Sequence, residues 1–286
     1  ALSDIPVVHS RGITGEGIII GVLDTGFDWQ THESLMNSNI IAEWDFIFQD
    51  SITADQPYDV KGQHNHGTLC FSVVGGFKDG FLIGASFNSA FLLAKTEDLR
   101  MESHLEEDNY AAALEWMETY GVDITTSSLG YSIFDDTTYS YTYSDMDGKT
   151  TIVTRAAELA FQRGVLTITS AGNEGNSSWY YITAPADGIN TIAVGAVFPD
   201  NSIAGFSSRG PSFDGRIKPD VVAQGVGVLG ATASTETQYR FASGTSLSSP
   251  IAAGAAGLLL SAYPHLTNVQ ARRILQETAD NSAQPN

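Results

Sequence analysis

The sequence predicts an α/β fold: a mostly parallel central sheet with helices on both faces, in three αβα layers. The first observation is that apolar, β-branched runs typical of buried strands alternate with segments of helical periodicity. The strand runs cover residues 18–23, 90–95, 123–128, 165–170 and 191–197, and the helical segments cover residues 110–120, 151–163 and 269–278. The second is that the 286 residues are 42% hydrophobic and show no repeat or linker, which predicts one domain over 1–286.

The first strand run ends directly before Asp24, which Thr25 and Gly26 follow. Open α/β sheets place their chemistry at the carboxyl ends of strands, so Asp24 is a candidate catalytic acid. The structural alternative is an aspartate that caps the next turn with its side chain.

His66 opens a small, apolar segment, residues 67–76, which predicts a buried helix with the imidazole in its first turn. An imidazole with a pKa of about 6.5 can take a proton from a nucleophile and return it to a leaving group. His64 and Asn65 are polar, so His66 is expected where water meets the core. A structural histidine is the alternative.

Ser246 precedes a Gly- and Ala-rich run, residues 247–262, which predicts a central helix packed by small residues. The polar and small positions of this run favour a core helix over a membrane span. A hydroxyl at the amino end of a helix lies beside free N–H groups and the positive end of the helix dipole, which favour a developing oxyanion. Pro250 is expected within the first turn, where its missing N–H costs little. A serine that only caps the helix is the alternative.

The three residues occur in the order acid, base, hydroxyl, in Asp-Thr-Gly, His-Gly-Thr and Gly-Thr-Ser motifs. This pattern resembles the subtilisin-like serine proteases (subtilases, peptidase family S8), and the resemblance runs from about residue 5 to 279. It implies a serine endopeptidase of broad specificity that acts through an Asp24–His66–Ser246 triad and an acyl-enzyme intermediate. The segment 170–175 is similar to the family's oxyanion-hole segment, in which the Asn173 amide would donate to the tetrahedral intermediate. A Gly-rich turn after a strand is the alternative.

The resemblance also implies two walls of a substrate cleft. The matching residues are Ser128, Leu129 and Gly130 on the wall that pairs with the substrate backbone, and Ser170, Ala171 and Gly172 on the opposite wall. Small residues there admit an extended peptide as an added strand, so backbone hydrogen bonds would supply affinity with little sequence selectivity.

Cys70 is the single cysteine and falls four residues after His66, one helical turn along on the same face. Proteinase K-like members of the family that this chain resembles carry a cysteine at this position. A bulky mercurial bound to it is expected to inhibit by displacing the imidazole. The thiol is not predicted to be the nucleophile, and a small buried hydrophobe is the structural interpretation.

No cofactor is expected for catalysis. The resemblance makes structural calcium the metal to consider. The family's high-affinity calcium site uses an aspartate and an Asn-rich loop where this chain has Ser34 and residues 75–80, so that site is expected to be absent. An Asp-x-Asp-Gly fragment at residues 145–148 lies in an insertion between residues 130 and 151. It is either a calcium loop without its later bidentate Glu or a solvated loop beside the cleft.

Four acids precede the helical segment 110–120: Glu102, Glu106, Glu107 and Asp108. The resemblance places them near more distant substrate residues, where they would favour basic side chains two to four positions before the cut. Acids that stabilise the first turn of a solvated helix are the alternative.

The formal charge is −19, from 33 acidic and 14 basic residues, which disfavours nucleic acid or an anionic membrane as a partner. The expected partners are protein or peptide substrates and, in the precursor, the chain's own propeptide. Because the resemblance begins almost at the first residue, a mature, secreted catalytic domain is expected, with a C-terminus that stops short of elements usual in the family.

Two other classes of function, a binding module and an esterase, have less support in the sequence than a serine endopeptidase. A catalytically silent binding module of this fold would usually replace a triad or oxyanion residue, and none is replaced here. An esterase of the α/β-hydrolase class would need a Gly-x-Ser-x-Gly elbow and the order Ser, acid, His, and neither surrounds Ser246.

Overall fold

The computed structural model describes residues 3–280 and 282. Its strands are β1 (Ile19–Asp24), β2 (Asn39–Asp45), β3 (Phe77–Lys78), β4 (Leu82–Ile83), β5 (Ala90–Lys95), β6 (Ile124–Ser127), β7 (Leu166–Ser170), β8 (Ile192–Val197), β9 (Val221–Gln224), β10 (Val228–Ala231) and β11 (Tyr239–Ala242). Its α-helices are α1 (Ile5–Ser10), α2 (Asn65–Gly75), α3 (His104–Thr119), α4 (Ile152–Gln162), α5 (Thr245–Ala262) and α6 (Asn268–Glu277). The termini of the predicted 1–286 domain, and the expected early stop, involve residues outside this description.

Seven strands form one sheet in the order β2-β5-β1-β6-β7-β8-β9, and all of its pairings are parallel. The pairs β3–β4 and β10–β11 form two antiparallel hairpins. The predicted α/β class is therefore confirmed, and the main sheet is wholly parallel within the described residues.

Alternate side chains of the strands point to opposite faces of the sheet and pack into two separate hydrophobic cores. On β5, Phe91 and Leu93 belong to the core that includes α2, α5 and α6, whereas Leu92 and Ala94 belong to the core beneath α3 and α4. A strand buried on both faces reads as a continuous apolar run, which is why the sequence located it. The helices on both faces complete the predicted three layers.

The helix α5 is long and apolar enough to meet the length and composition of a membrane span. Sixty-seven per cent of it is buried inside the protein, where it contacts α2 and the strands from β6 to β9. It is the core helix that its Gly and Ala content predicts.

Candidate active site

Asp24 is the last residue of β1 and is fully buried. Its Oδ1 accepts hydrogen bonds from Nδ1 of His66 at 2.7 Å and from the N–H of Thr25 at 2.7 Å. The close approach of α2 requires glycine after His66, because a Cβ on Gly67 would lie 2.2 Å from the carbonyl oxygen of Gly26. The structure thus brings the predicted acid and base together across 42 residues of sequence.

His66 is the second residue of α2, as predicted, and 39% of its side chain is exposed. The Asp24 carboxylate is the main cause that raises the pKa of His66 well above its ordinary value of 6.5; Cys70 adds to the increase and burial opposes it. With Nδ1–H directed at Asp24, the neutral imidazole keeps Nε2 as its acceptor. That is the nitrogen a general base needs.

Cys70 lies under this imidazole, as its spacing predicts. Its Sγ is 3.8 Å from both ring nitrogens of His66, and the side chain is buried. Burial raises the pKa of the Cys70 thiol, so it is protonated at neutral pH and is a weak nucleophile.

A mercurial that reaches Cys70 is expected to inactivate the protein because the added group must displace the His66 ring. We expect p-chloromercuribenzoate to lower peptide hydrolysis slowly, by about tenfold or more, with recovery in dithiothreitol. The Cys70→Ala variant should hydrolyse peptides and lose this sensitivity. Full activity of the protein with one mercury bound per thiol would contradict the proposed displacement.

Ser246 is the second residue of α5 and is 7% exposed. Its Oγ donates to the carbonyl oxygen of Ser128 at 3.4 Å rather than to His66. Hydrogen bonds between nucleophile and base are often long or misaligned without substrate.

The expectation for Pro250 is wrong, because Pro250 is the sixth residue of α5 and not in its first turn. At this position it removes the N–H that would bond to the carbonyl of Ser246, four residues earlier. The Ser128 hydroxyl supplies the missing donor, at 2.9 Å from the Ser246 carbonyl oxygen. Ser128 therefore holds the turn that carries Ser246, a role that only the spacing of Pro250 could have indicated.

Asn173 lies in the loop after β7, with its side chain oriented by Thr245. Its Oδ1 accepts from the N–H and the hydroxyl of Thr245, at 2.9 and 3.0 Å. Because both contacts use Oδ1, the amide nitrogen is left as a donor next to the amino end of α5. Sequence reasoning missed the part played by Thr245, although the residue stands beside Ser246 in the motif.

The two predicted walls of the cleft are joined where the Ser170 hydroxyl donates to the carbonyl of Leu129 at 3.2 Å. On the first wall, the N–H and C=O of Gly130 have no hydrogen-bond partner within the described part of the chain. On the second wall, the backbone of Ala171 bonds to Val194 and Thr183, and the carbonyl of Gly172 accepts from Ser208 at 3.0 Å. Among the described residues, Gly130 is therefore the cleft residue whose N–H and C=O are both free to pair with an added strand.

A cleft of about 410 Å³ extends from His66 along the wall at residues 128–130. Beyond that wall it is lined mainly by acids. These are Glu97, Asp98, Glu102, Glu106 and Asp135.

At both places considered for calcium, the side-chain oxygens take part in local hydrogen bonds. Ser34 is buried and its hydroxyl pairs with Nδ1 of His32 at 2.9 Å, while residues 77–83 form the β3–β4 hairpin. In the insertion, the Asp145 carboxylate accepts from the N–H of Thr142 and the Asp147 carboxylate from Lys149 and Thr150. Within the described residues, neither place brings three histidine, cysteine or carboxylate ligand atoms together.

Sequence comparisons show which known proteins this chain is similar to. The chain matches the sequence profile of the subtilase family over residues 15–286. Subtilisin BL from Lederbergia lenta is 31% identical over 274 residues, which cover 96% of this chain and 87% of that protein. Serine protease AprX from Bacillus subtilis is 29% identical over 303 residues, and the aligned region covers 96% of this chain but 64% of AprX.

Solved structures show the same fold. A cold-adapted subtilisin-like serine proteinase superposes with a TM-score of 0.73 at 22% identity, over 95% of this chain and 86% of that chain. The prenylagaramide maturation protease PagA gives a TM-score of 0.71 at 22% identity, over 95% of this chain and 85% of that chain.

Proposed function

Because the chain belongs to the subtilase family of serine-type endopeptidases, we propose that it hydrolyses peptide bonds with Ser246 as the nucleophile. His66 is the general base and Asp24 orients it. The observation that carries this assignment is the 2.7 Å hydrogen bond between Asp24 and His66 at the end of the central strand β1. Subtilases need no cofactor for this reaction, and we infer none here.

The reaction follows from the roles of these groups. Ser246 Oγ attacks the scissile carbonyl carbon while Nε2 of His66 takes the hydroxyl proton. The Asn173 amide and the N–H groups at the amino end of α5 donate to the oxyanion that forms. The C–N bond then breaks as His66 protonates the leaving amine, and water, deprotonated by His66, hydrolyses the acyl ester in the same way.

The substrate in this proposal is an extended segment of protein or peptide. The free N–H and C=O of Gly130 support pairing with its backbone, which gives affinity without reading side chains. By similarity to the subtilisins, we also propose that residues 1–286 act as one catalytic domain, matured from a precursor by loss of a propeptide and exported.

Ester hydrolysis tests this function through its covalent intermediate. With p-nitrophenyl acetate, we expect a burst of about one nitrophenolate per protein molecule before the steady state, together with casein hydrolysis. A folded protein that gives neither the burst nor casein fragments would refute the proposal and favour a binding module.

Substitution of Asn173 tests the oxyanion donor. Both Asn173→Ala and Asn173→Asp are expected to lower kcat by about 10²–10³-fold with little change in KM, a magnitude known from a subtilisin. The Asp variant keeps an acceptor for Thr245 but removes the amide donor, so an equal loss assigns the effect to that donor. Asn176→Ala, an exposed asparagine of the same loop, is the control. A fall of less than about threefold in both variants would exclude Asn173 from the oxyanion site.

A further inference from the structure

A buried carboxyl group borders the far end of the cleft. Glu97 follows β5, is 7% exposed, and uses Oε1 to accept from the hydroxyls of Tyr131 and Thr96, at 2.6 and 2.9 Å. Its Oε2 has no hydrogen-bond partner among the residues that the structure describes, yet it is not sealed from solvent, and the residue lines the cleft. Buried polar groups are nearly always paired, so this oxygen is a site for a donor that comes from outside the fold.

Glu106 borders the same space from the first turn of α3. It is 3% exposed, and its two oxygens accept from the N–H groups of Asp98 and Ser103, at 2.8 and 3.1 Å. Burial raises the pKa of Glu106 to about 7, and burial together with the charge of Glu106 raises the pKa of Glu97 well above its ordinary value. Each of these two carboxyl groups disfavours the charged form of the other. A cation placed between them would stabilise both carboxylates.

The protein supplies no such cation within the described lining of the cleft. Arg100 lines it, but its guanidinium pairs with both oxygens of Asp98, at 2.7 and 2.6 Å. Lys95, on β5, is fully buried between Asp45 and Asp59, at 2.8 and 2.7 Å. His66 stands at the other end of the cleft, engaged with Asp24. The carboxyl groups of this end, which also include those of Glu102 and Asp135, therefore have no free cation to pair with among the described residues that line the cleft.

Aliphatic side chains complete the cleft beside these acids. Leu99 and Met101 line it and are 54% and 49% exposed, and Leu129 lines it from the substrate wall. Lysine and arginine bury an aliphatic stem along apolar surface while the charged head seeks a polar partner. Apolar walls next to an acidic floor have the chemistry that such a side chain requires.

We propose that this acidic end of the cleft is a specificity site that selects a lysine or arginine two to four residues before the scissile bond. Glu97 and Glu106 receive the charged head, and Leu99 and Met101 pack against the stem. The inference rests on the proposed function, because it assigns the cleft end to the acyl side of a peptide paired with Gly130. The inference also gives the acids at the start of α3 different roles. Glu106 both stabilises the first turn and faces the cleft.

Two neighbouring acids do not belong to this site. Glu107 is buried against His104 and Tyr141, and its carboxylate accepts the Tyr141 hydroxyl at 2.8 Å. Asp108 is exposed on α3 and does not line the cleft. Asp108→Asn therefore serves as a control for the removal of a negative charge near the site.

Paired peptides test the inference on the wild-type chain. Each pair differs only at the second, third or fourth residue before a fixed cleavage site, where one peptide has lysine and the other has norleucine, which has a similar stem and no charge. We expect kcat/KM to favour lysine by about tenfold or more at one or more of these positions. Equal kcat/KM values for lysine and norleucine at all three positions would overturn the inference.

Variants of the acids then assign the preference. In Glu97→Gln and in Glu106→Gln the ratio of lysine to norleucine should fall toward one, whereas Asp108→Asn should keep the wild-type ratio. If Glu97→Gln does not fold, the ratio of lysine to norleucine in Glu106→Gln, compared with that of the wild type, still tests whether these acids set the preference. A wild-type ratio retained in every folded variant would remove these acids from the site.

The two proposals fail in different ways. If neither peptide of any pair is cleaved and the ester burst is absent, the proposed endopeptidase function is wrong. If the norleucine peptides are cleaved as fast as the lysine peptides, the endopeptidase function stands and only the specificity site is refuted.

Discussion

Ser246→Ala should lower kcat for peptide hydrolysis by about 10⁶-fold, the magnitude that loss of the nucleophile has in a subtilisin. The variant loses the hydroxyl at the amino end of α5, and with it the acyl-enzyme route. The fold should persist, because the removed hydroxyl makes only a 3.4 Å contact with Ser128, and the Ser246 carbonyl keeps its bond from the Ser128 hydroxyl. Thermal unfolding of both proteins and kcat on one peptide are the measurements.

Ser261→Ala is the matched control, since Ser261 lies near the other end of the same helix and donates to the carbonyl of Glu16 at 2.8 Å. Its kcat should equal that of the wild type. A Ser246→Ala protein that keeps more than about 1% of the wild-type kcat would show that another residue is the nucleophile.

Asp24→Asn should lower kcat by about 10⁴-fold, as loss of the orienting carboxylate does in serine proteases. The amide would favour the wrong tautomer of His66 and would remove the charge that raises the His66 pKa. His66 acts as a base only when neutral, so wild-type activity should fall as the pH drops through this raised pKa, giving an acid limb above 6.5. In Asp24→Asn the limb should move to lower pH.

The measurement is kcat/KM from pH 5 to 10 for wild type and Asp24→Asn, with Asp79→Asn as an exposed control. Asp79→Asn should leave the limb in place, since Asp79 lies in the hairpin away from the site. An acid limb that does not move in Asp24→Asn would mean that Asp24 does not set the pKa of the base.

The sequence predicted the buried strands well because each is apolar on both faces. The run at 90–95 coincides with β5, and the run at 18–23 differs from β1 by one residue at each end. The edge strands β2 and β9 were missed, because their residues are largely half-buried or exposed and their apolar runs are only about three residues long. Helix α3 begins six residues before the predicted residue 110. Its start was missed because no apolar pattern marks it. A cap marks it instead, in which the Glu106 carboxylate accepts from the N–H of Ser103.

Some features of the candidate site could likewise be predicted from the sequence, and others could not. Asp24, His66 and Ser246 could be found because each stands at the boundary of an apolar element. The bond from Ser128 to Ser246 spans 118 residues, and the contact between Thr245 and Asn173 spans 72, so only the folded chain reveals them. Glu97 was findable, since it lies just beyond the carboxyl end of β5 as Asp24 lies at that of β1, and the same strand-end rule applies to it.

Labelling with phenylmethylsulfonyl fluoride, followed by intact mass and peptide mapping, tests the central claim most directly. The account predicts a single adduct on Ser246 that appears as casein hydrolysis disappears, and no adduct on Ser246→Ala. A wild-type protein that cleaves casein while its adduct lies on another residue, or while it takes up no label, would contradict the assignment of Ser246 as the nucleophile.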